Sequence, residues 1–398
     1  MRKQKYNLSL LLLLYSLLSV EAQSFVDLYP SVESNNLQLN VLKQEIEANS
    51  LERRSEINMA DPEVGLTYLW GDKNAPSDKR MLSVNQELDL VTISGSRKRL
   101  VNSQNKVSKA SYIVERQDVL KEFSENCVMW RYLTKQLEQR NATVQILSQL
   151  FESYEKQLNA GELSRIEFNK MQFSIAEYTT QIRLLELERE SIFRQLVYLN
   201  GNVSLDTTYL HYENSSLPTD FEVWFDSVQM QIPEINFYSQ NLKVSAQEEK
   251  LARLSWLPKL NAGYQSEISN VEAMRGGSIG FSLPLWENKN AVKSKVASSK
   301  MAELRLSEAV NRIKNEYFMK YQRILAMTNL LNEYMNAMTS MSNLTLESKA
   351  FRLGAMSASD YLRSTADYIS LYDKVLEIEY LIQREKIEFM LIQSSQNF

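Results

Sequence analysis

The chain has 398 residues with only 10 glycines and 7 prolines, and charged residues of both signs make up 24% of it. This composition is typical of long helices rather than of a compact globular domain. The net charge of −4 gives no reason to expect binding to nucleic acid. A single histidine, His211, and the lack of GxSxG, HExxH and P-loop motifs argue against an exported hydrolase. We therefore expect no enzymatic activity, no cofactor and no metal site.

The N-terminus has the pattern of a secretory signal. Basic residues precede the apolar run "LSLLLLLYSLLSV", and the small-residue stretch "VEA" follows it. The apolar run is shorter than the roughly 18 residues that a membrane-spanning helix needs, which disfavours the alternative of an N-terminal anchor. We predict a signal peptide over residues 1–22, cleaved after Ala22. The only cysteine, Cys127, excludes an internal disulfide and is interpreted as a buried small hydrophobe rather than a reactive thiol.

Four tracts contain neither glycine nor proline: 96–160, 162–200, 288–353 and 355–398. In the first and third tracts, apolar residues recur at three-and-four spacing, as in Leu120, Phe123, Cys127, Trp130 and in Ile313, Tyr317, Tyr321, Ile324. This spacing predicts coiled-coil helices. At 1.5 Å per residue, the two longer tracts would extend roughly 90–100 Å, so they need packing partners along their whole length.

Two other segments show strict alternation of apolar and polar residues, which predicts half-buried strands. They form the β-hairpins 62–91 and 258–286, with turns at 71–79 and 270–277. Leu66 and Phe281 belong to the apolar faces, and Ser282 belongs to a polar face. Such strands are typical of transmembrane β-structure, and Trp70, Trp256 and Trp286 near strand ends fit a membrane interface. The alternative is a pair of surface hairpins packed on helices.

The helical tracts are interrupted at two matching stretches, "LNAGELSRIEF" (158–168) and "FRLGAMSASDY" (351–361). Gly161 and Gly354 can end a helix in the left-handed conformation. Three residues later, Ser164 and Ser357 can N-cap the returning helix, and Glu167 and Asp360 stand at the capping-box positions. These stretches therefore predict two helical hairpins that turn at 158–165 and 351–358.

The two halves of the chain match when the sequence is shifted by about two hundred residues, so that Pro62 meets Pro258 and Tyr68 meets Tyr264. We predict an internal two-fold repeat, with a first copy at 23–200, a polar connector at 201–232 and a second copy at 233–398. Each copy would contain a helix, a β-hairpin and a long helical hairpin.

The order and spacing of these pieces resemble the TolC family of outer-membrane efflux channels over residues 34–398. The resemblance rests on "MADPEVGLTY", "SWLPKLNAGY", "GSIGFSLPLWENKNAVKSKVASSKMAEL", "YEKQLNAGELSRIEF" and "SKAFRLGAMSASDYL". It implies a mainly α fold with a β-barrel portion: a homotrimer in which each protomer gives four transmembrane strands to a twelve-stranded barrel in the outer membrane. The long antiparallel helical hairpins would form a tunnel in the periplasm. It also implies a periplasmic adaptor and an inner-membrane pump of the RND or ABC type as partners.

In the TolC family, an acid six residues after the turn glycine is a gate residue, and Glu167 and Asp360 match that position. The family's second gate aspartate is replaced by Arg363, and a basic residue of its best-known member by Met356. Arg165 and Arg352 lie close by in sequence, so an Asp–Arg ring is one form that the gate could take. Candidates for contact with the adaptor at the same tips are Leu163, Met356, Phe168 and Tyr361.

The alternative to an export channel is a soluble periplasmic coiled-coil adaptor or scaffold, which would need no alternating strands with aromatic ends. The sequence does not name the cargo, and metal ions, drugs and polypeptides stay open. Nor does it identify the individual pump and adaptor.

Overall fold

A computed structural model describes residues 24–71, 78–206, 210, 212, 216–282, 286, 288–341 and 344–394. The predicted signal peptide 1–22, His211, most of the predicted first hairpin turn, and Leu283 and Leu285, which were predicted to lie in the last strand, are outside the described residues.

The chain is mainly helical, with a single described sheet. Two short 3₁₀ helices occupy Phe25–Leu28 and Gln229–Gln231. The other elements, in chain order, are α1 Tyr29–Asn35, α2 Leu37–Ser55, β1 Glu63–Leu69, β2 Lys79–Leu88, α3 Leu90–Ile93, α4 Ser96–Asn159, α5 Arg165–Leu199, α6 Phe221–Val228, α7 Pro233–Leu254, β3 Lys259–Ser269, β4 Ala273–Ser282, α8 Ala291–Met341, α9 Leu344–Arg352 and α10 Ala358–Ser394. The predicted order of helix, hairpin, long helix, turn and helix therefore occurs twice. None of the described helices combines the length and the apolarity that a bilayer crossing requires.

The four strands form one antiparallel sheet in the order β1-β2-β3-β4. The two predicted hairpins are confirmed, and they are joined by pairing of β2 with β3, in which Val84 lies opposite Tyr264. The predicted turn at 270–277 is wrong for its second half, because β4 already begins at Ala273. Ser269 closes a tighter turn: its backbone N–H donates to the Glu272 carbonyl at 2.8 Å. Gly276 and Gly277 are strand residues, although a glycine pair usually marks a turn.

The register divides the side chains between a mainly apolar and a mainly polar face of the sheet, because directly paired residues lie on the same face. The exceptions are Arg80, Gln86, Ser266 and Arg275 on the first face and Leu69, Met81 and Met274 on the second. One face is apolar and carries Val64, Leu66, Tyr68, Leu82, Val84, Leu260, Ala262, Tyr264, Ile268, Ile279 and Phe281. The other face is polar and carries Thr67, Ser83, Asn85, Glu87, Asn261, Gln265, Glu267, Ser278 and Ser282. The apolar face is uncovered in the single chain: Leu66 is 82% exposed, Ile279 88% and Phe281 68%.

The long helices pack as antiparallel pairs, as predicted. Glu122 of α4 accepts from Gln195 of α5, whereas Arg140, further along α4, donates to Gln181. Ion pairs show the same direction between α4 and α10: Lys121 with Glu388, Lys135 with Glu379 and Arg140 with Asp373. The predicted coiled-coil seam is buried at Leu120, Phe123, Cys127, Leu137, Leu147, Tyr154, Ile313 and Ile324. Burial also raises the pKa of the Cys127 thiol, which suits a small hydrophobe rather than a nucleophile.

The chain divides into two compact units that each draw on both sequence halves. One contains the described residues up to Asn40, Arg116–Asp226 and the chain from Asn315 onward. Its core includes an aromatic cluster in which α6 contributes Phe221, Trp224 and Phe225. The other contains Val41–Glu115 and Ser227–Lys314, and therefore the whole sheet.

Gly201 follows α5 and approaches the backbone of another helix closely. Its φ is +63°, and the Asn202 N–H donates to the Val197 carbonyl, as in a Schellman motif. A Cβ on Gly201 would lie 2.1 Å from the carbonyl oxygen of Asn35. Beside it, the Asn36 side-chain amide donates to the Leu199 carbonyl at 2.8 Å. Glycine is therefore required here both for its φ and for its lack of a side chain.

We expect Gly201→Ala to destabilise this unit by about 1–2 kcal/mol from backbone strain and about 1–3 kcal/mol more from the collision with Asn35. Gly161→Ala is the matched control, since Gly161 has a φ of +75° and no described atom lies within 4 Å of the position that its Cβ would take. Chemical unfolding followed by helical circular dichroism measures both variants. Equal losses would contradict the close approach at Asn35.

Glu388 joins two lysines from different helices and links three helices of the unit. It pairs with Lys121 of α4 and Lys320 of α8. Burial by itself would raise the pKa of Glu388, but the two lysine charges outweigh that effect and hold the pKa below its usual value. A carboxylate with a lowered pKa stabilises the fold above its unfolded pKa of about 4.3, and the stabilisation is lost as the pH falls through the native value.

We expect Glu388→Gln to lose about 1–3 kcal/mol at neutral pH, because two lysines lose their shared partner. The difference from the unchanged protein should shrink in acid, as the pH falls from the unfolded pKa of about 4.3 through the lowered native pKa of Glu388. Thermal unfolding at a series of pH values checks this. The control is Glu377→Gln, whose pair with Lys374 is exposed on both sides and should contribute little. If the stability difference between Glu388→Gln and the unchanged protein were the same at all pH values, the stabilising charge of Glu388 beside its two lysines would be contradicted.

Candidate functional site

The two helical turns have the same backbone structure. At the first turn, the Gly161 N–H donates to the Leu158 carbonyl and the Glu162 N–H donates to the Gln157 carbonyl. At the second, the Gly354 N–H donates to the Phe351 carbonyl and the Ala355 N–H to the Ala350 carbonyl. Both glycines have positive φ, +75° and +71°. These are two Schellman motifs, which satisfy the last carbonyl groups of α4 and α9.

Serine and acid side chains then start each returning helix. The Ser164 hydroxyl accepts from the Glu167 N–H at 3.2 Å and donates to the Glu167 carboxylate at 2.8 Å. The Ser164 N–H also donates to that carboxylate, which completes a capping box. At α10, the Ser357 hydroxyl accepts from the Asp360 N–H at 3.1 Å and donates to the Asp360 carboxylate at 2.6 Å. Both acids therefore have a capping role within one chain.

A hydrophobic cluster under the turns brings the two tips together. It contains Leu147, Leu150, Tyr154, Phe168, Met171, Phe351 and Tyr361. The Tyr154 ring lies 5.1 Å from Phe351, which lies 5.4 Å from Tyr361. On the surface, the Lys170 ammonium donates to the Ser359 hydroxyl at 3.3 Å. Turns that lie almost two hundred residues apart in sequence thus form one structural tip.

The cluster corrects two of the residues named for adaptor contact. Phe168 is only 6% exposed and Tyr361 only 2%, because both rings fill the core between the hairpins. They are not available to a partner protein. Leu163 and Met356 are partly buried against the same cluster.

Other apolar side chains are uncovered at the tips. They are Ile166 at 70%, Phe173 at 69% and Leu353 at 84% exposure. Sequence reasoning missed them, although a signal existed for two of them. Ile166 and Phe173 lie outside the three-and-four series of α5 that includes Phe168, Met171 and Ile175, and apolar residues off the buried series point to solvent.

The charged candidates at the tips lie on the surface. Asp360, Arg363 and Arg165 are exposed, and the Arg165 guanidinium lies 5.5 Å from the Phe168 ring centroid. Among the side chains that the structure describes, no ion pair joins Asp360 or Glu167 to Arg165 or Arg363. Arg352 ends α9, and its side chain lies outside the described part. The described residues also contain no group of three or more His, Cys, Asp or Glu side chains that could hold a metal ion. The tip therefore carries exposed charge of both signs.

Comparisons with known proteins agree with this architecture. The sequence matches no family model and no curated protein. Solved structures match over nearly the whole chain. The outer-membrane channel OprN has a TM-score of 0.75 at 14% identity, with 92% of this chain and 88% of that chain covered. The MtrE outer-membrane channel of Neisseria gonorrhoeae, in its open state, has a TM-score of 0.71 at 14% identity, with 92% and 88% covered.

A third match is the CmeC outer-membrane channel of Campylobacter jejuni, with a TM-score of 0.69 at 15% identity and coverage of 92% and 85%. Identities at this level establish the fold, and all three proteins are channels. The chain therefore has the fold of the outer-membrane channels that the resemblance to the TolC family implied.

Proposed function

We propose that three copies of this chain associate in the outer membrane and form a passive channel for export. The single observation that carries the proposal is the sheet. Its apolar face is exposed, its opposite face is mainly polar, and its two edge strands, β1 and β4, each have one edge with no described neighbouring strand. A surface of this kind is unstable in water, because the apolar side chains and the edge backbone groups are both left without partners.

Closure into a barrel resolves both problems. Four strands are too few to close, whereas three copies supply twelve, and a closed barrel has no edges. The apolar face would then contact lipid and the polar face would line an aqueous lumen, which is the usual arrangement of outer-membrane barrels. On the polar face, Lys79 pairs with Glu267 at 2.7 Å and Lys259 with Glu87 at 3.4 Å, so charge is concentrated where water would be.

The helical hairpins would continue the channel through the periplasm. Their partners would be a periplasmic adaptor at the tips and an inner-membrane pump of the RND or ABC type, which would select the substrate. Leu163 and Met356 remain candidates for adaptor contact, joined by the exposed Ile166, Phe173 and Leu353. The alternative of a soluble adaptor or scaffold leaves the exposed apolar sheet face without a function.

The channel proposal is tested by reconstitution in planar bilayers. We expect the purified protein to be a trimer that conducts ions. Leu66→Arg should prevent assembly, since Leu66 lies nearer the middle of the apolar band and an arginine on the lipid face costs roughly 2–4 kcal/mol near the bilayer midplane. Thr67→Lys, one position along β1 on the polar face, is the matched control and should still conduct. Equal damage from both substitutions would contradict the assignment of the two faces, and a monomer with an intact sheet would contradict the trimer.

Asp360 and Glu167 are proposed to close the tip in addition to capping their helices. Three copies of Asp360 and of nearby arginines, Arg363, Arg352 or Arg165, would form charge-assisted bonds around the aperture, each modest because the tip is wet. We expect Asp360→Ala to raise the resting conductance and to let large antibiotics into cells. Glu167→Ala should have a smaller effect, and high salt should partly reproduce the mutation.

The variant Asp360→Asn separates the two roles, because an amide oxygen can still accept from Ser357 while the charge is gone. If Asp360 only caps α10, the Asn variant should behave like the unchanged protein. The Ala variant should then lose about 0.5–2 kcal/mol of helix stability, with unchanged conductance. A gate residue would give raised conductance in both. Unchanged conductance in both variants, at low and high salt, would refute the gate.

A further inference from the structure

Two arginines lie on the apolar face of the sheet. Arg80 of β2 is paired with Tyr68 on one side and Ile268 on the other, and Arg275 of β4 is paired with Ser266. By the register, both arginines therefore share the face that carries Leu82, Val84, Ile279 and Phe281. Both are exposed. Strand β3 separates them, so strand spacing and rise place their Cα atoms about 12 Å apart.

These arginines differ from the lysines of the polar face. Lys79, the neighbour of Arg80, is neutralised by Glu267, and Lys259 is paired with Glu87. In the described residues, neither Arg80 nor Arg275 forms an ion pair. The Arg80 guanidinium lies 5.7 Å from the centroid of the Tyr68 ring, and the Asp78 carboxylate close by accepts from the Tyr68 hydroxyl and the Gly71 N–H. Arg275 thus has no ion-pair partner among the described residues, and Arg80 has nearby only the charge of Asp78, a carboxylate just before β2 that already accepts two hydrogen bonds. Neither arginine is neutralised by an ion pair with the strands around it.

Both arginines lie toward the hairpin turns. All four helix connections leave the sheet at one end, before β1 and β3 and after β2 and β4, so both turns are at the other end. From Leu260 to Ile268, strand β3 rises about 27 Å, which is similar to the apolar band of about 25 Å in outer-membrane barrels. Arg80 and Arg275 are therefore at one margin of the band, together with Tyr68 and the exposed Trp70, whose rings lie 5.4 Å apart.

We infer that Arg80 and Arg275 bind the phosphate groups of a phosphorylated lipid at the outer surface of the membrane. The inference rests on the proposed membrane function. Arginine recognises phosphate with paired N–H donors, and a guanidinium at the margin of a hydrocarbon layer is stabilised by an anionic headgroup. The acyl chains of the same lipid would cover the apolar residues nearer the centre of the band, Leu66 and Leu82 among them. A single phosphorylated lipid would thus provide anionic groups for the two arginines and acyl chains for the apolar residues beside them.

The experiment titrates the purified trimer, in an uncharged detergent, with bisphosphorylated lipid A and follows bound lipid by native mass spectrometry. The parallel titration uses the same glycolipid without its phosphates. We expect the unchanged protein to prefer the phosphorylated form. The double variant Arg80→Gln/Arg275→Gln should bind it roughly 20–30-fold more weakly, since each arginine near an anionic lipid surface contributes about 1 kcal/mol.

The matched control is Lys79→Gln/Lys259→Gln, which removes the same charge from the polar face and should leave lipid binding unchanged. Equal affinity of the unchanged protein for the two glycolipids would overturn the inference without any variant. So would full displacement by inorganic phosphate, which would make the site one for free anions, or equal losses in the two double variants. The channel proposal is judged separately by conductance, so a conducting trimer that shows no preference would refute the lipid site alone.

Discussion

The unsatisfied edges of a four-stranded sheet are the constraint on which the rest of the structure depends. β1 and β4 each present a row of backbone N–H and C=O groups with no described neighbour, and the face between them is apolar and open. An exposed edge of this kind normally invites aggregation. In the proposed barrel the same groups would form the contact between subunits. Because four strands are too few to close a barrel, the proposed channel would need association of copies, and the long helices would have to be compatible with it.

The helices meet this requirement with charge as well as apolar packing. The apolar seam of a long helix repeats, so it fits a neighbour almost equally well after a shift of one heptad. The ion pairs between α4 and α10 do not repeat in this way. Lys121, Lys135 and Arg140 meet Glu388, Glu379 and Asp373 at unequal intervals, so only one register satisfies all three. Partly buried charge thus specifies the alignment, while the apolar seam supplies most of the stabilisation.

Much of the fold could be predicted from the sequence, because periodicity and helix breakers are local signals. The alternation of apolar and polar residues located the hairpins, and the tracts without glycine and proline located the long helices. The pairing of β2 with β3 is not a local signal: it joins residues such as Val84 and Tyr264 that lie far apart in sequence. The end of the second turn was predicted wrongly. Gly276 and Gly277 suit a turn, but a hydrogen bond between Ser269 and Glu272 closes a shorter turn before them.

The candidate site shows the same difference between local signals, which the sequence reveals, and long-range contacts, which it does not. Gly161, Ser164 and Glu167 were predictable as a turn and cap, since their roles depend on neighbours within six residues. Phe168 and Tyr361 were misjudged, because their burial depends on the other hairpin packing over them. Whether Asp360 also closes a gate depends on contacts between copies. For that reason the sequence of one chain yields the cap directly, and the gate only through resemblance.

The internal duplication connects these features. Each half carries a glycine turn with a serine cap and an acid, and each half carries one arginine on the apolar face in the second strand of its hairpin, Arg80 and Arg275. In a trimer every such feature would occur six times around the axis, in two alternating environments. Repetition lets contacts that are individually weak in water act together around a ring. The two halves are not identical, however: the first tip has Glu167 at the position where the second has Asp360, and the two side chains differ in length. A ring built from two unlike halves can therefore use one set of acids mainly to cap helices and leave the other to close the aperture.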